Sequence, residues 1–378
     1  MKGKSRIYSL LVLSISFIVL AVPVHARIKL VALPERGKTV IRLDNPQATL
    51  IEEERVLTLQ KGVNKVDFSW KGVGIGVDSI RLNVLTNPYK AILLGVSYPP
   101  NEAALVWEIH SDDAFEVMVR ISYLLSNMDR KITYKGIADK SETKMDLKSY
   151  LVLRNFSGED FENASIFLDD SLSFEQKVRH EETRQLLFLN KRGLSIEKCW
   201  TFDAGKLPWD PEKLDINVGI PVSYRIKNVK DAGLGTYALY NGKVRVFQND
   251  GHKGRIFLGE DTTRSVPVGE TMKVYIGDSR DIVVTQHKMR ENRINVRRNN
   301  KNRVVLYDTD EMIKATIENF KEKPAILNLI EHIPGQWDMA ECNMKYKKKD
   351  AYTLEFEIEL PAHGKKELTM HYNRRNLR

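Results

Sequence analysis

Between Gly242 and Gly277 turn-forming residues break the chain so often that no helix fits, and this constrains the fold more than any other feature. Three short β-rich runs, Val244 to Gln248, Arg255 to Leu258 and Thr271 to Ile276, are cut by Asn249-Asp250-Gly251, by Gly259 and by Val268-Gly269. Met272, Val274 and Ile276 alternate with Lys273 and Tyr275, so one face can be buried while the other meets water. Runs this short between turn residues predict consecutive antiparallel strands.

The same period-two signal recurs along the chain. Val66 and Phe68 lead to Trp70, and Ile80, Leu82 and Val84 share one face. Val117, Val119, Ile121 and Tyr123 share another, as do Val222, Tyr224 and Ile226. The cleanest case is Tyr352, Leu354, Phe356, Ile358 and Leu360, set against Thr353, Glu355, Glu357 and Glu359. Glu175 to Leu189 fits one long charged strand or a helix carrying Leu186 and Leu187; a strand is the expectation. The predicted class is all-β, built of multi-domain antiparallel β-sandwiches. The expected domains are an N-terminal β-domain over 27–103, a central β-sandwich over 104–285 and a C-terminal immunoglobulin-like sandwich over 286–378.

The first residues bear on compartment. Lys2, Lys4 and Arg6 precede a nearly unbroken apolar run from Ile7 to Val22, then Pro23 and the small-residue site Val24-His25-Ala26. This predicts a signal peptide over 1–26, cleaved after Ala26, and a periplasmic or secreted product with no transmembrane segment after cleavage. The alternative is an uncleaved anchor, but the run is short of the ~20 residues that span a bilayer. Removing the three leader cations lowers the formal charge from +9 to +6, a mild basic excess that suits anionic cell-surface polymers and equally a protein without such a partner. Cys199 and Cys342 are the only cysteines; in an oxidising compartment they can form a disulfide or stay as two free thiols, and sequence leaves both open.

Several stretches together resemble a known group. They are Glu54 to Gly62, Asn155 to Ala164, Gly242 to Phe247, Phe257 to Asp261, Val268-Gly-Glu270 with Ile276-Gly-Asp278, and Glu331 to Asp338. In this order the chain resembles the bacterial exported "domain of unknown function 4139" family, which includes mucoidy-inhibitor-like proteins. Many members carry a coiled-coil insertion near the N-terminus, and no heptads for one occur here. The resemblance implies an exported β-sandwich protein with no established activity and supplies no catalytic residues.

Enzyme signatures fail on inspection. His180-Glu181-Glu182-Thr183-Arg184 starts like a zinc-protease helix, but Arg184 stands where the second histidine must be. Ser141 and Lys144 have the spacing of penicillin-binding enzymes without their companion motifs, and their surroundings are β-like. No histidines fall at metal-ligand spacing, so neither a metal nor a cofactor is expected. Glu260, Asp261 and Glu331 remain as acid and base of an alternative glycan hydrolase. Trp337 offers either a platform for a sugar ring or a packed plug.

The strongest binding candidate is the basic run Lys288, Arg290, Arg293, Arg297, Arg298, Lys301 and Arg303. On a regular strand Arg293 and Arg297 share a face with Glu291, while Ile294 and Val296 face the other way. The run lacks interleaved aromatics, which argues against single-stranded nucleic acid as partner. The alternative is a solvated strand whose charges keep sheet edges apart. The functional expectation is a non-catalytic scaffold or binding module at the cell envelope, with an envelope protein or an anionic polysaccharide as partner. Its binding residues would be Arg293, Arg297, Arg298 and Trp337.

Overall fold

The computed structural model describes residues 29–31, 33–213 and 218–378, and the expected signal peptide lies outside them. Strand accounts for 65% of the described residues and helix for 2%, so the protein is all-β. The strands, in order, begin with β1 (Lys29–Val31), β2 (Thr39–Arg42), β3 (Thr49–Leu59), β4 (Gly62–Ser69), β5 (Arg81–Val84), β6 (Ala91–Ser97), β7 (Ala104–Ser111) and β8 (Phe115–Leu125). Next come β9 (Met128–Ala138), β10 (Lys144–Asn155), β11 (Phe161–Asp169), β12 (Leu172–Val178), β13 (Glu182–Ser195), β14 (Glu197–Asp203), β15 (Ile220–Lys227), β16 (Gly242–Asn249) and β17 (Arg255–Thr263). The last are β18 (Thr271–Ser279), β19 (Ile282–Arg298), β20 (Val304–Asn319), β21 (Ala325–His332), β22 (Gln336–Cys342), β23 (Lys347–Lys348), β24 (Thr353–Leu360) and β25 (Lys365–Leu377). Two compact units divide them: residues 1–40 with 51–124, and residues 41–50 with 125–378.

In the first unit one sheet runs β1-β4-β7-β6, and β3, β8 and β5 are neighbours in another. The boundary expected near 103 falls between β6 and β7, which pair in the same sheet. Val117, Val119, Ile121 and Tyr123 of β8 are fully buried, as their alternation requires. Phe68 stacks among Trp70, Trp107 and Tyr123 with ring centroids 5.5–5.9 Å apart. Glu53 breaks the apolar pattern of β3, and its buried carboxylate is held by Arg55 at 2.9 Å and Arg36 at 2.5 Å. That pairing offsets the cost of taking a charge out of water.

In the second unit one sheet runs β13-β10-β9-β16-β17 and another β18-β15-β14-β21-β24-β23; a third runs β19-β20-β25-β22. Pairing is mostly antiparallel, with parallel contacts at β9–β16 and β14–β21. The ambiguous stretch from Glu175 resolves into β12 and β13, separated by a turn in which Glu181 takes φ 59°. The boundary expected at 285/286 lies inside β19, and β21 and β24 complete a sheet begun by β14, β15 and β18. Ile313, Ala315 and Ile317 of β20 and Leu368, Met370 and Tyr372 of β25 form one inner face. Leu327 and Leu329 of β21 with Leu354, Phe356 and Ile358 of β24 form the other. Gln286 of β19 donates to Glu331 of β21 across this interior at 2.7 Å. These two sheets therefore stack as a sandwich.

Candidate functional site

The basic run forms a long hairpin of β19 and β20. Up to Gln286 the strand alternates with the core, but from His287 to Arg298 every residue is exposed, and so are Val304 and Val305 on the returning strand. The turn is built by Asn299, whose Oδ1 accepts from the backbone N–H of Lys301 and of Arg303, both at 3.0 Å. Asn302 closes it at φ 60°. At about 3.3 Å per residue the segment from Arg293 to Arg298 gives roughly 20 Å of strand exposed on both faces.

Charge is graded along this hairpin. At its base Lys288 pairs with Glu291 at 2.9 Å and Glu311 at 3.1 Å, and Arg290 pairs with Asp310 at 3.2 Å. Burial alone would raise the Glu311 carboxyl, but Thr309, Lys288 and Arg374 outweigh it and hold the group below its ordinary range. Asp310 is held low by His371 and then Arg290. Towards the tip the balance changes. Residues 293–305 contain Arg293, Arg297, Arg298, Lys301 and Arg303 and no acid. Among the described residues no carboxylate forms an ion pair with Arg293, Arg298, Lys301 or Arg303, and Arg298 instead donates to the Asn302 carbonyl at 3.0 Å.

The faces differ from the sequence expectation. Arg293 pairs with Thr309 and Ile294 with Asp308, but Arg297 pairs with Leu306. Thr309 and Leu306 are three apart on β20, so Arg293 and Arg297 point to opposite faces. The cause is a bulge between Ile294 and Arg297, where Asn295 takes φ 52° and its side chain donates to Asp308 at 2.9 Å. One inserted residue shifts the period-two pattern and twists the ribbon. Tyr307, which sequence reading left out, supplies an aromatic ring: the Arg293 guanidinium sits 4.4 Å from its centroid. It arrives from the facing strand, so no local motif announces it.

Trp337 lies on β22 in the same cross-strand row as Arg293, with Thr309 of β20 and Arg374 of β25 between them. Its indole N–H donates to Ala351 at 2.9 Å, and the Lys348 ammonium covers the ring at 4.3 Å. With its face occupied and its edge bonded, the half-buried ring is neither an open platform nor a core plug. Asp338 beside it pairs with Arg375 at 2.5 Å.

The three carboxylates of the hydrolase alternative stand apart. Glu260 on β17 is exposed and paired with Lys243 and with Arg245, whose contact is 2.7 Å. Asp261, on the opposite face of that strand, accepts from the Tyr275 N–H at 2.8 Å. Glu331 is 2% exposed in the sandwich interior, where burial pushes its carboxyl up to about 7 against the lowering effect of Gln286. Clefts of about 860 and 980 Å³ occur elsewhere in this unit, and none of the three lines them.

Both cysteines are free thiols. Cys199 is buried on β14 and Cys342 lies on β22, in different sheets, and each Sγ donates to a local carbonyl, of Trp200 and Met344 respectively. The disulfide left open by sequence is therefore not formed. Ser141 and Lys144 belong to a turn organised by Asp139, which accepts from the N–H of Thr143 and of Lys144, both at 2.9 Å. Among the described residues no group of three or more His, Cys, Asp or Glu is placed to hold a metal ion, and no helix is long and apolar enough to cross a membrane.

No protein-family model matches the chain, and no curated protein matches it either.

Proposed function

We propose that the protein is an exported, non-catalytic binding module of the bacterial cell envelope that holds an anionic polysaccharide on the outer half of the β19–β20 hairpin. The observation carrying this reading is the tip itself: five cations over residues 293–305 and no acid among them, with β19 exposed on both faces up to Arg298. The bulge at Asn295 splits Arg293 from Arg297, so cations face both ways and a flexible polymer can lie along either side. The ring of Tyr307 beneath Arg293 holds that guanidinium in place by a cation–π contact and keeps it on one face of the hairpin. The leader and the resemblance to the exported "domain of unknown function 4139" proteins support the compartment.

Retention on an immobilised uronic-acid polymer under a rising salt gradient tests the reading. The intact protein is expected to bind and to elute as salt screens the contact, because the Debye length falls from about 10 Å at 0.1 M to about 3 Å at 1 M. The Arg293→Ala/Arg297→Ala/Arg298→Ala variant should elute markedly earlier. Co-elution of the two proteins overturns the assignment.

A further inference from the structure

The first unit carries a second surface, independent of the hairpin. Strand β6 is the last strand of its sheet, so its outward N–H and C=O groups have no strand partner among the described residues. From Ala91 to Tyr98 it contains no charge and no proline. Only Ala91 is buried; Ile92 is 52% exposed, Leu94 57% and the flanking Tyr89 90%, and Leu93, Val96 and Tyr98 are exposed as well. Edge strands of soluble proteins are normally protected by lysine, proline, a bulge or a covering segment; of these β6 has only a bulge, between Leu93 and Gly95. Here both faces and the open edge are apolar together.

We infer that β6 is a self-association strand, pairing antiparallel with β6 of a second copy of this chain. Three observations select that occupant. An uncharged strand carries no charge repulsion against its own copy, and antiparallel pairing with the two-fold at the Leu93–Gly95 bulge sets the apolar run around Ile92 of one copy against that around Val96 of the other, both exposed in the single chain. The same arrangement places the two Lys90 side chains at opposite ends of the joint strand pair, roughly 25 Å apart by strand rise, whereas parallel pairing would bring them together. The exposed parts of the six apolar side chains amount to roughly 600 Å² per chain, an upper limit on what edge pairing covers, against the ~800 Å² per partner of a standard stable interface. Symmetric closure through one two-fold axis consumes the edge and stops growth at the dimer.

Sedimentation velocity on the exported chain over a concentration series, with hydrogen exchange of residues 91–97, tests this. The intact protein is expected to be a dimer at micromolar concentration, with the β6 amides protected. Leu94→Lys brings two ammonium groups together across the two-fold and should weaken association at least about tenfold. Thermal unfolding of the monomer should be unchanged, because the side chain is exposed; Ile92→Lys repeats the test if that variant folds poorly. A monomeric intact protein at high micromolar concentration overturns the inference. So does a Leu94→Lys variant that dimerises as before, or a monomer that uses this strand to bind zwitterionic lipid vesicles.

Discussion

Replacing Glu331 by glutamine should make the protein more stable, by an amount that grows as pH rises from 4.5 to about 7 and is constant above. The carboxyl continues the inward row Leu327, Leu329, Glu331 of β21 and has Gln286 as a hydrogen-bond donor, and among the described residues no cation forms an ion pair with it. Burial raises it from 4.5 to about 7 in the folded chain. A carboxyl raised on folding binds its proton more tightly in the native state. Its contribution is therefore fully present below the unfolded value of 4.5, declines as pH rises, and is lost once pH passes 7. At about 1.4 kcal/mol per unit, this shift corresponds to about 3 kcal/mol. Glu331→Gln keeps the acceptor for Gln286 and cannot ionise. Urea unfolding at a series of pH values should give curves for the two proteins that coincide near pH 4. They should diverge by about 1.4 kcal/mol per pH unit through the middle of the range and stay about 3 kcal/mol apart at pH 8. Parallel curves across the whole range, or a less stable glutamine variant at pH 8, would refute the account.

Two further outcomes follow from the packing. Gly242→Ala should cost about 2–3 kcal/mol by urea unfolding, because a Cβ there would lie 2.4 Å from the Ile132 carbonyl oxygen on the facing strand, where backbone cannot give way. Thiol titration of the unreduced protein should find two equivalents in denaturant, with Cys342 reacting before buried Cys199 in the native state; no reactive thiol in denaturant would restore the bridge.

The fold class was legible because burial on one face leaves a period-two trace. Val117 to Tyr123, Met272 to Ile276 and Leu354 to Leu360 bury the side chains their alternation singles out. Strand β6 leaves no such trace: Ile92, Leu93 and Leu94 are all apolar, so the run has no period that marks it as a strand. The bulge at Asn295 was hidden for the opposite reason, since the alternation around it is regular and one left-handed residue overrides it. The cationic run itself was visible as composition. Its aromatic partner Tyr307 and the Lys348 cover over Trp337 come from other strands, and contacts between strands are not written in local pattern. The same holds for Glu331, whose burial follows from its place in the inward row rather than from its neighbours in the chain.

The parallel match of β14 with β21 has a consequence for how the chain matures. Cys199 to Asp203 lie in the middle of their sheet, yet one of their two neighbours, Ile326 to Ile330, is synthesised about 125 residues later. During synthesis, the first half of this layer must wait with a raw flank until the final fifth of the polypeptide arrives. Maturation is then set by the last segment to emerge, and a ribosome that stops early releases a product unable to close.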